Sequence, residues 1–208
     1  MIRYCPRARL LHAGSSSRTD AAPSTANMGM MQGMTHKSDD EHMRDLCRFT
    51  ARTLNTKQPS PFGALIVSTR NGKPLMRATN AVMREHDPSS HAELRTVRRA
   101  CKRLKRTSLA GFTMYSTCEP CPMCMANALW ARLDRVIYGA TIADANRYCL
   151  QIQIPAAEVS RRSDMPCGVE GPLLRELCLS LFTHPSTQKA FLAWSTAKKT
   201  KTSLARKP

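Results

Sequence analysis

Two short motifs, HAE at residues 91–93 and CEPCPMC at 118–124, limit the folds open to this chain. Each carries residue types that bind metal or move protons, and a strand-like run, FTMYST at 112–117, lies between them. For the motifs to act together, the chain must bring the starts of two helices to one point. Cys121 and Cys124 stand three residues apart, so on a first helical turn both sulfurs face the same side. The positive end of a helix lowers a thiol pKa, and thiolate is the zinc-binding form. Pro120 and Pro122 suit a helix start, where a missing N–H costs little. His91 offers a third ligand from the start of another helix. Three protein ligands leave one tetrahedral position for water, which zinc makes acidic near neutral pH. Two thiolates and a neutral imidazole cancel the charge of the ion, so that water needs a base nearby. Glu93 follows His91 by two residues and can stand beside the metal only from a first helical turn, which the Asp87-Pro88-Ser89-Ser90 turn provides.

Cys118 keeps other readings open. C-x-x-C-x-x-C resembles the start of a bacterial iron–sulfur motif, but the next cysteine is Cys149 and no proline follows it. A closed structural zinc with Cys118 as fourth ligand is a second alternative, which would make the chain a non-catalytic module. Cys118 also ends an apolar strand, where a small buried residue packs well beside the ligands or in the core.

The 208 residues suffice for one domain with a proper core and some excess at the ends. No apolar run approaches the ~18 residues of a membrane span. The formal charge of +17 is uneven: +3 falls in residues 1–33, +6 in 186–208, and +8 in between. An anionic partner stays open beside the plainer reading of a solvated surface with basic tails. Nine cysteines with no signal-peptide core fit a reducing compartment, hence a cytoplasmic chain. Residues 1–33, with Arg3, Arg7, Arg9, Arg18 and a serine run, have the composition of an organelle transit peptide. They fit equally an upstream start, since Met28, Met30, Met31 and Met34 follow.

We therefore expect a disordered or transit-like extension over 1–37, a domain over 38–185, and a basic C-terminal helix or frayed tail over 186–208. Ser38 and Glu41 form a capping-box pattern ahead of Met43, Leu46, Cys47, Thr50 and Leu54 at helical spacing. FGALIVS (62–68) reads as a buried strand, Asn71-Gly72 as a hairpin turn, and 74–79 as a second strand. A helix follows over 91–104, then strands at 112–117 and 135–140 on either side of a helix at 121–131. LLRELCLSLF (173–182) has helical spacing up to Pro185. Strands alternating with helices imply a layered α/β fold.

The pairing of H-x-E with P-C-x-x-C is a known signature of zinc-dependent nucleobase deaminases. TCEPCPMCMANALWARLDRVIYGA, with PFGALIV, Asn80 and DPSSHAEL upstream, resembles the cytidine deaminase superfamily. Within it the likeness is to the branch of guanine deaminases, nucleoside deaminases and tRNA adenosine deaminases, over residues 39–184. The resemblance implies a three-layer α/β/α sandwich around a five-stranded mixed sheet, one zinc per chain, and a homodimer. It assigns His91, Cys121 and Cys124 as ligands and Glu93 as proton shuttle for a zinc-bound hydroxide. It also implies substrate contacts at Asn80, the backbone of Ala92, Phe62 and Gly63. Asp144, in ATIADAN, matches a second acidic residue of guanine deaminases, and reads equally as a helix N-cap.

STCEPCPMC is closer to guanine and nucleoside deaminases than to tRNA enzymes. IQIPAAEVSRRSD and GPLLRELCLSLF are similar to the tails of bacterial nucleoside deaminases and depart from the guanine deaminase tail. A purine-type base or nucleoside is the first reading of the substrate. Transfer RNA is the second, since RTVRRACKRLKR (95–106) holds seven basic residues and no acid. On a helix these spread over most faces except that of Val97, Ala100, Cys101 and Leu104.

Overall fold

The computed structural model describes residues 37–204, with side chains as far as residue 194. The expected N-terminal extension, all but its last residue Lys37, lies outside the described residues. Helix α1 (Asp39–Ala51) opens with the capping box: the Ser38 hydroxyl accepts from the Glu41 N–H at 3.2 Å, and the Glu41 carboxylate accepts from the Ser38 N–H at 2.7 Å. Strands β1 (Gly63–Ser68) and β2 (Pro74–Thr79) form the expected hairpin, with Gly72 in the left-handed region at φ 62°. There follow α2 (Val82–Glu85), α3 (Ala92–Leu104), β3 (Phe112–Cys118), α4 (Pro122–Trp130) and β4 (Arg135–Ala140). The chain closes with α5 (Ile142–Asn146), α6 (Ala156–Arg161), β5 (Gly168–Glu170), α7 (Arg175–Thr183) and α8 (Pro185–Leu204).

The sheet runs β2-β1-β3-β4-β5. β1 is antiparallel to both β2 and β3, whereas β3, β4 and β5 are parallel. Alternation along the central strands feeds two cores. Leu65, Val67, Tyr115 and Ile137 meet α1 and α7 through Met43, Leu46, Cys178 and Phe182. Ile66, Met114 and Val136 meet α3 and α4 through Val97, Ala100, Met125 and Ala128. Helices on both faces explain why GALIV is apolar throughout rather than alternating. This is the expected three-layer sandwich on a five-stranded mixed sheet.

The C-terminal segment takes the helical form among the alternatives of the sequence reading. It is regular helix to Leu204, and α8 carries buried Phe191 into the α1/α7 core. Phe191 lies edge-on to Trp194, 5.3 Å between ring centres. The packed unit therefore extends past Pro185. Among the described residues, no helix is long and apolar enough to cross a membrane.

Candidate active site

His91 and Cys121 occupy equivalent places, each the N-cap of a helix, with φ/ψ of −67°/154° and −63°/165°. An N-cap side chain ordinarily accepts a bond from its own helix, yet neither does so here. Both are turned toward each other instead. Cys124 joins them from the first turn of α4, behind Pro122 at its first position. Cys121 thus precedes the helix rather than lying on its first turn, but the convergence expected from its spacing holds. The donor atoms of His91, Cys121 and Cys124 all lie within 4.8 Å of one another.

His91 Nδ1 is 3.7 Å from Cys121 Sγ and 3.5 Å from Cys124 Sγ. A tetrahedral zinc with ordinary Zn–N and Zn–S bonds would hold nitrogen and sulfur about 3.6 Å apart. The donor chemistry and the spacing both fit that ion. Bonding to Cys124 and His91 pulls the Cys121 thiol down to about 4, so thiolate is its resting form. Cys124 is shifted the opposite way by the same neighbouring sulfur and by burial. The bond from His91 to Cys121 raises the imidazole.

Glu93, in the first turn of α3, is 5 % exposed. Burial pushes its carboxyl upward. Its Oε1 accepts from Ser116 Oγ at 3.1 Å, and its Oε2 is 3.6 Å from Cys124 Sγ. The carboxyl therefore stands against the ligand cluster. Cys118 stands apart: it is 2 % exposed, packs with Tyr115, Ala140 and Cys178, and directs its thiol to the Thr141 carbonyl at 3.9 Å. That is the packing reading rather than a fourth ligand.

The other expected site residues join through the backbone. Asn80 N–H donates to the Phe62 carbonyl at 3.0 Å, and Ala81 N–H donates to Ser90, next to His91, at 2.9 Å. Gly63 N–H donates to Thr117 Oγ1 at 2.9 Å, beside Ser116. Gly63 has no space for a side chain, since a Cβ there would lie 1.9 Å from Thr50 Oγ1. Ala92 is fully buried, and half-buried Phe62 packs edge-on against Phe182 at 5.3 Å.

Asp144 is engaged by its own helix and by α7. Its carboxylate accepts from Thr141 N–H at 3.1 Å, in a capping box at the start of α5, and from Arg175 Nε at 2.9 Å. Its second oxygen also bonds Arg175, so both oxygens have partners within the fold. The N-cap itself is Thr141, and Asp144 stands three residues on as the acidic member of the box.

Three supporting residues escaped the sequence reading. Glu119, between the cysteines, accepts from Ile142 N–H at 3.0 Å and Ala156 N–H at 2.9 Å, tying α5 and α6 to the ligand loop. A carboxylate directly after an apolar strand was its only signal. Arg95, read as part of the basic strip, is buried and bonds Glu85 at 2.7 Å. Glu85 also accepts from Ser90 Oγ, which fixes the approach to His91. Ser116 is the third, a small polar residue in a strand otherwise rich in large side chains.

A family model described as the cytidine and deoxycytidylate deaminase zinc-binding region matches residues 36–140. The chain is 42 % identical over 92 residues to a guanine deaminase of Bacillus subtilis, covering 44 % of this chain and 58 % of that protein. It is 35 % identical over 99 residues to a tRNA-specific adenosine deaminase of Agrobacterium fabrum, covering 48 % and 64 %. The match therefore spans about three-fifths of the length of these curated relatives. A solved guanine deaminase from Nitrosomonas europaea shares the fold at a TM-score of 0.64 and 18 % identity, covering 75 % of this chain and 85 % of that one.

Proposed function

Since the chain belongs to the cytidine and deoxycytidylate deaminase zinc-binding family, we propose that it hydrolytically deaminates a purine-type base or nucleoside. The observation that carries this reading is the buried Glu93 carboxyl, held 3.6 Å from the sulfur of a His/Cys/Cys donor set. His91, Cys121 and Cys124 would hold one zinc per chain, which when bound supplies a Lewis acid that polarises water. Glu93 takes a proton from the attacking water. It gives that proton to the ring nitrogen as the water oxygen bonds to the amine-bearing carbon, then takes the second proton from the new hydroxyl and gives it to the amine as the carbon–nitrogen bond breaks and ammonia leaves. Its burial brings the carboxyl toward a pH at which one group can both take and give a proton. Asn80, the Ala92 backbone, Phe62 and Gly63 border the substrate. Asn80 supplies polar recognition, and the Phe62 ring supplies an apolar wall. A homodimer is the association that the family likeness implies.

Ammonia release from a panel of free bases, nucleosides and tRNA tests the proposal. Wild-type protein should turn over a base or nucleoside, whereas Glu93→Ala should keep zinc and lose turnover. Undiminished deamination by Glu93→Ala would overturn its role.

A second reading, tRNA, is favoured by the relatives of that name and by the outer face of α3. Arg99, Lys102 and Arg103 on that face, with Lys105 and Arg106 just past the helix end, are exposed and make no ion pair with a described residue. Phosphate contacts would make activity fall steeply with salt. Salt-independent turnover of free bases or nucleosides would reject tRNA as the required substrate.

A further inference from the structure

Ser116 sits in the middle of the central strand β3, paired with Ala64 on one side and Tyr138 on the other, and is 1 % exposed. A central, two-sided strand favours β-branched and aromatic residues, which fill such a site. A buried hydroxyl there costs free energy unless it finds a partner. The partner is Glu93, whose Oε1 lies 3.1 Å from Ser116 Oγ. Glu93 reaches the ligand cluster along a flexible side chain whose last torsion, the one that sets the plane of the carboxyl, is broad and poorly fixed by backbone conformation. The helix brings the carboxyl to the cluster, but the helix alone does not orient it. A donor carried on a strand braced from both sides supplies the missing constraint.

We propose that Ser116 is a positioning residue: its hydroxyl holds Oε1 of Glu93 and thereby keeps Oε2 turned toward the donor set of His91, Cys121 and Cys124. Oε2 is the oxygen found 3.6 Å from Cys124 Sγ, on the side of the carboxyl that faces the donor set. The assignment rests on the reading of Glu93 as the proton shuttle. Ser116 itself touches no reacting atom. It acts by preserving the fraction of time that the shuttle spends correctly aimed, so its loss should lower turnover and leave substrate binding nearly unchanged.

Threonine and valine make the decisive comparison, because they are nearly the same shape and differ in the hydroxyl. Any overpacking of the strand affects both alike. Alanine removes the hydroxyl without adding bulk. Ser116→Val and Ser116→Ala should lose roughly 10–100-fold in kcat, as the loss of outer hydrogen-bond partners commonly does, with KM and zinc content close to wild type. Ser116→Thr should recover most of the lost turnover. Independently of activity, the carbon-13 resonance of the Glu93 carboxyl, assigned with Glu93→Gln, should move in the valine and alanine variants and stay near its wild-type position in threonine. Equal turnover by the valine and threonine variants, a loss confined to KM, or an unmoved resonance would each overturn the proposal. A wild-type protein inactive toward every base, nucleoside and tRNA tested would overturn instead the reading of Glu93 on which it stands.

Discussion

Asp144 shows how one residue type serves two purposes that local sequence does not separate. Thr141 and Asp144 form a capping box, and the carboxylate also binds the Arg175 side chain. Those partners, Arg175 foremost, hold its pKa at about 2, below the ordinary value for aspartate. The folded state thus favours the charged form. Its contribution is complete above the ordinary range and is lost as pH falls through about 2. Asp144→Asn should cost about 1 kcal/mol at neutral pH, the usual scale for a helix cap. Urea unfolding at stepped pH should show the two proteins converging as the solution is acidified below about 4. Cys118→Ala offers a second measurement, with zinc staying at one per chain and stability falling by about 1 kcal/mol. A loss of zinc in that variant would restore the closed-site alternative. The residues legible in sequence were those in short motifs of metal-binding or proton-moving types, such as His91 with Glu93 and Cys121 with Cys124, even though His91 and the cysteines lie 30 or more residues apart. Ser116 was not, because a lone serine in a strand belongs to no such motif and only the completed fold shows its partner, 23 residues away.

Elements were legible in proportion to their length and periodicity. The limits of β2 and β4 coincide with the sequence reading, and those of α3, α4 and β3 differ by a residue or so. By contrast, α2, α5, α6 and β5 are too short to show a period, and their formation depends on outside partners. Glu119 is the clearest such partner, since its one carboxylate satisfies N–H groups at the start of both α5 and α6. Glu119→Ala would leave two buried donors unpaired, at about 1–3 kcal/mol each. It should lower the urea midpoint markedly. Faster hydrogen exchange confined to residues 142–161 would locate the damage, whereas uniform exchange across the sheet would argue against this role. The packing of α8 onto the core was hidden for another reason. The polar, basic composition of the last residues masked Phe191, whose burial follows from the aromatic cluster it joins.

At the scale of the molecule, the ligands come from two helix starts separated by β3, so the donor set exists only when α3 and α4 are packed on the same face of the sheet. An ion that binds only this assembled form stabilises it by mass action, by about 2.7 kcal/mol at a hundredfold excess over the dissociation constant. A strong chelator should therefore lower the melting temperature by several degrees, and stoichiometric zinc should restore it. An unchanged melting curve would mean that the donors hold no metal in solution. The basic character read from composition survives in part: Arg95 is withdrawn into the fold, and the cations farther along α3 remain on the surface. The borders of the sheet have a consequence of their own. Proline at position 74 withholds an N–H from the β2 border, and β5 offers only three residues on the other side. Neither margin is a good template for a strand from another molecule. The sheet resists runaway growth into fibrils, and any orderly association of copies is left to helices and loops.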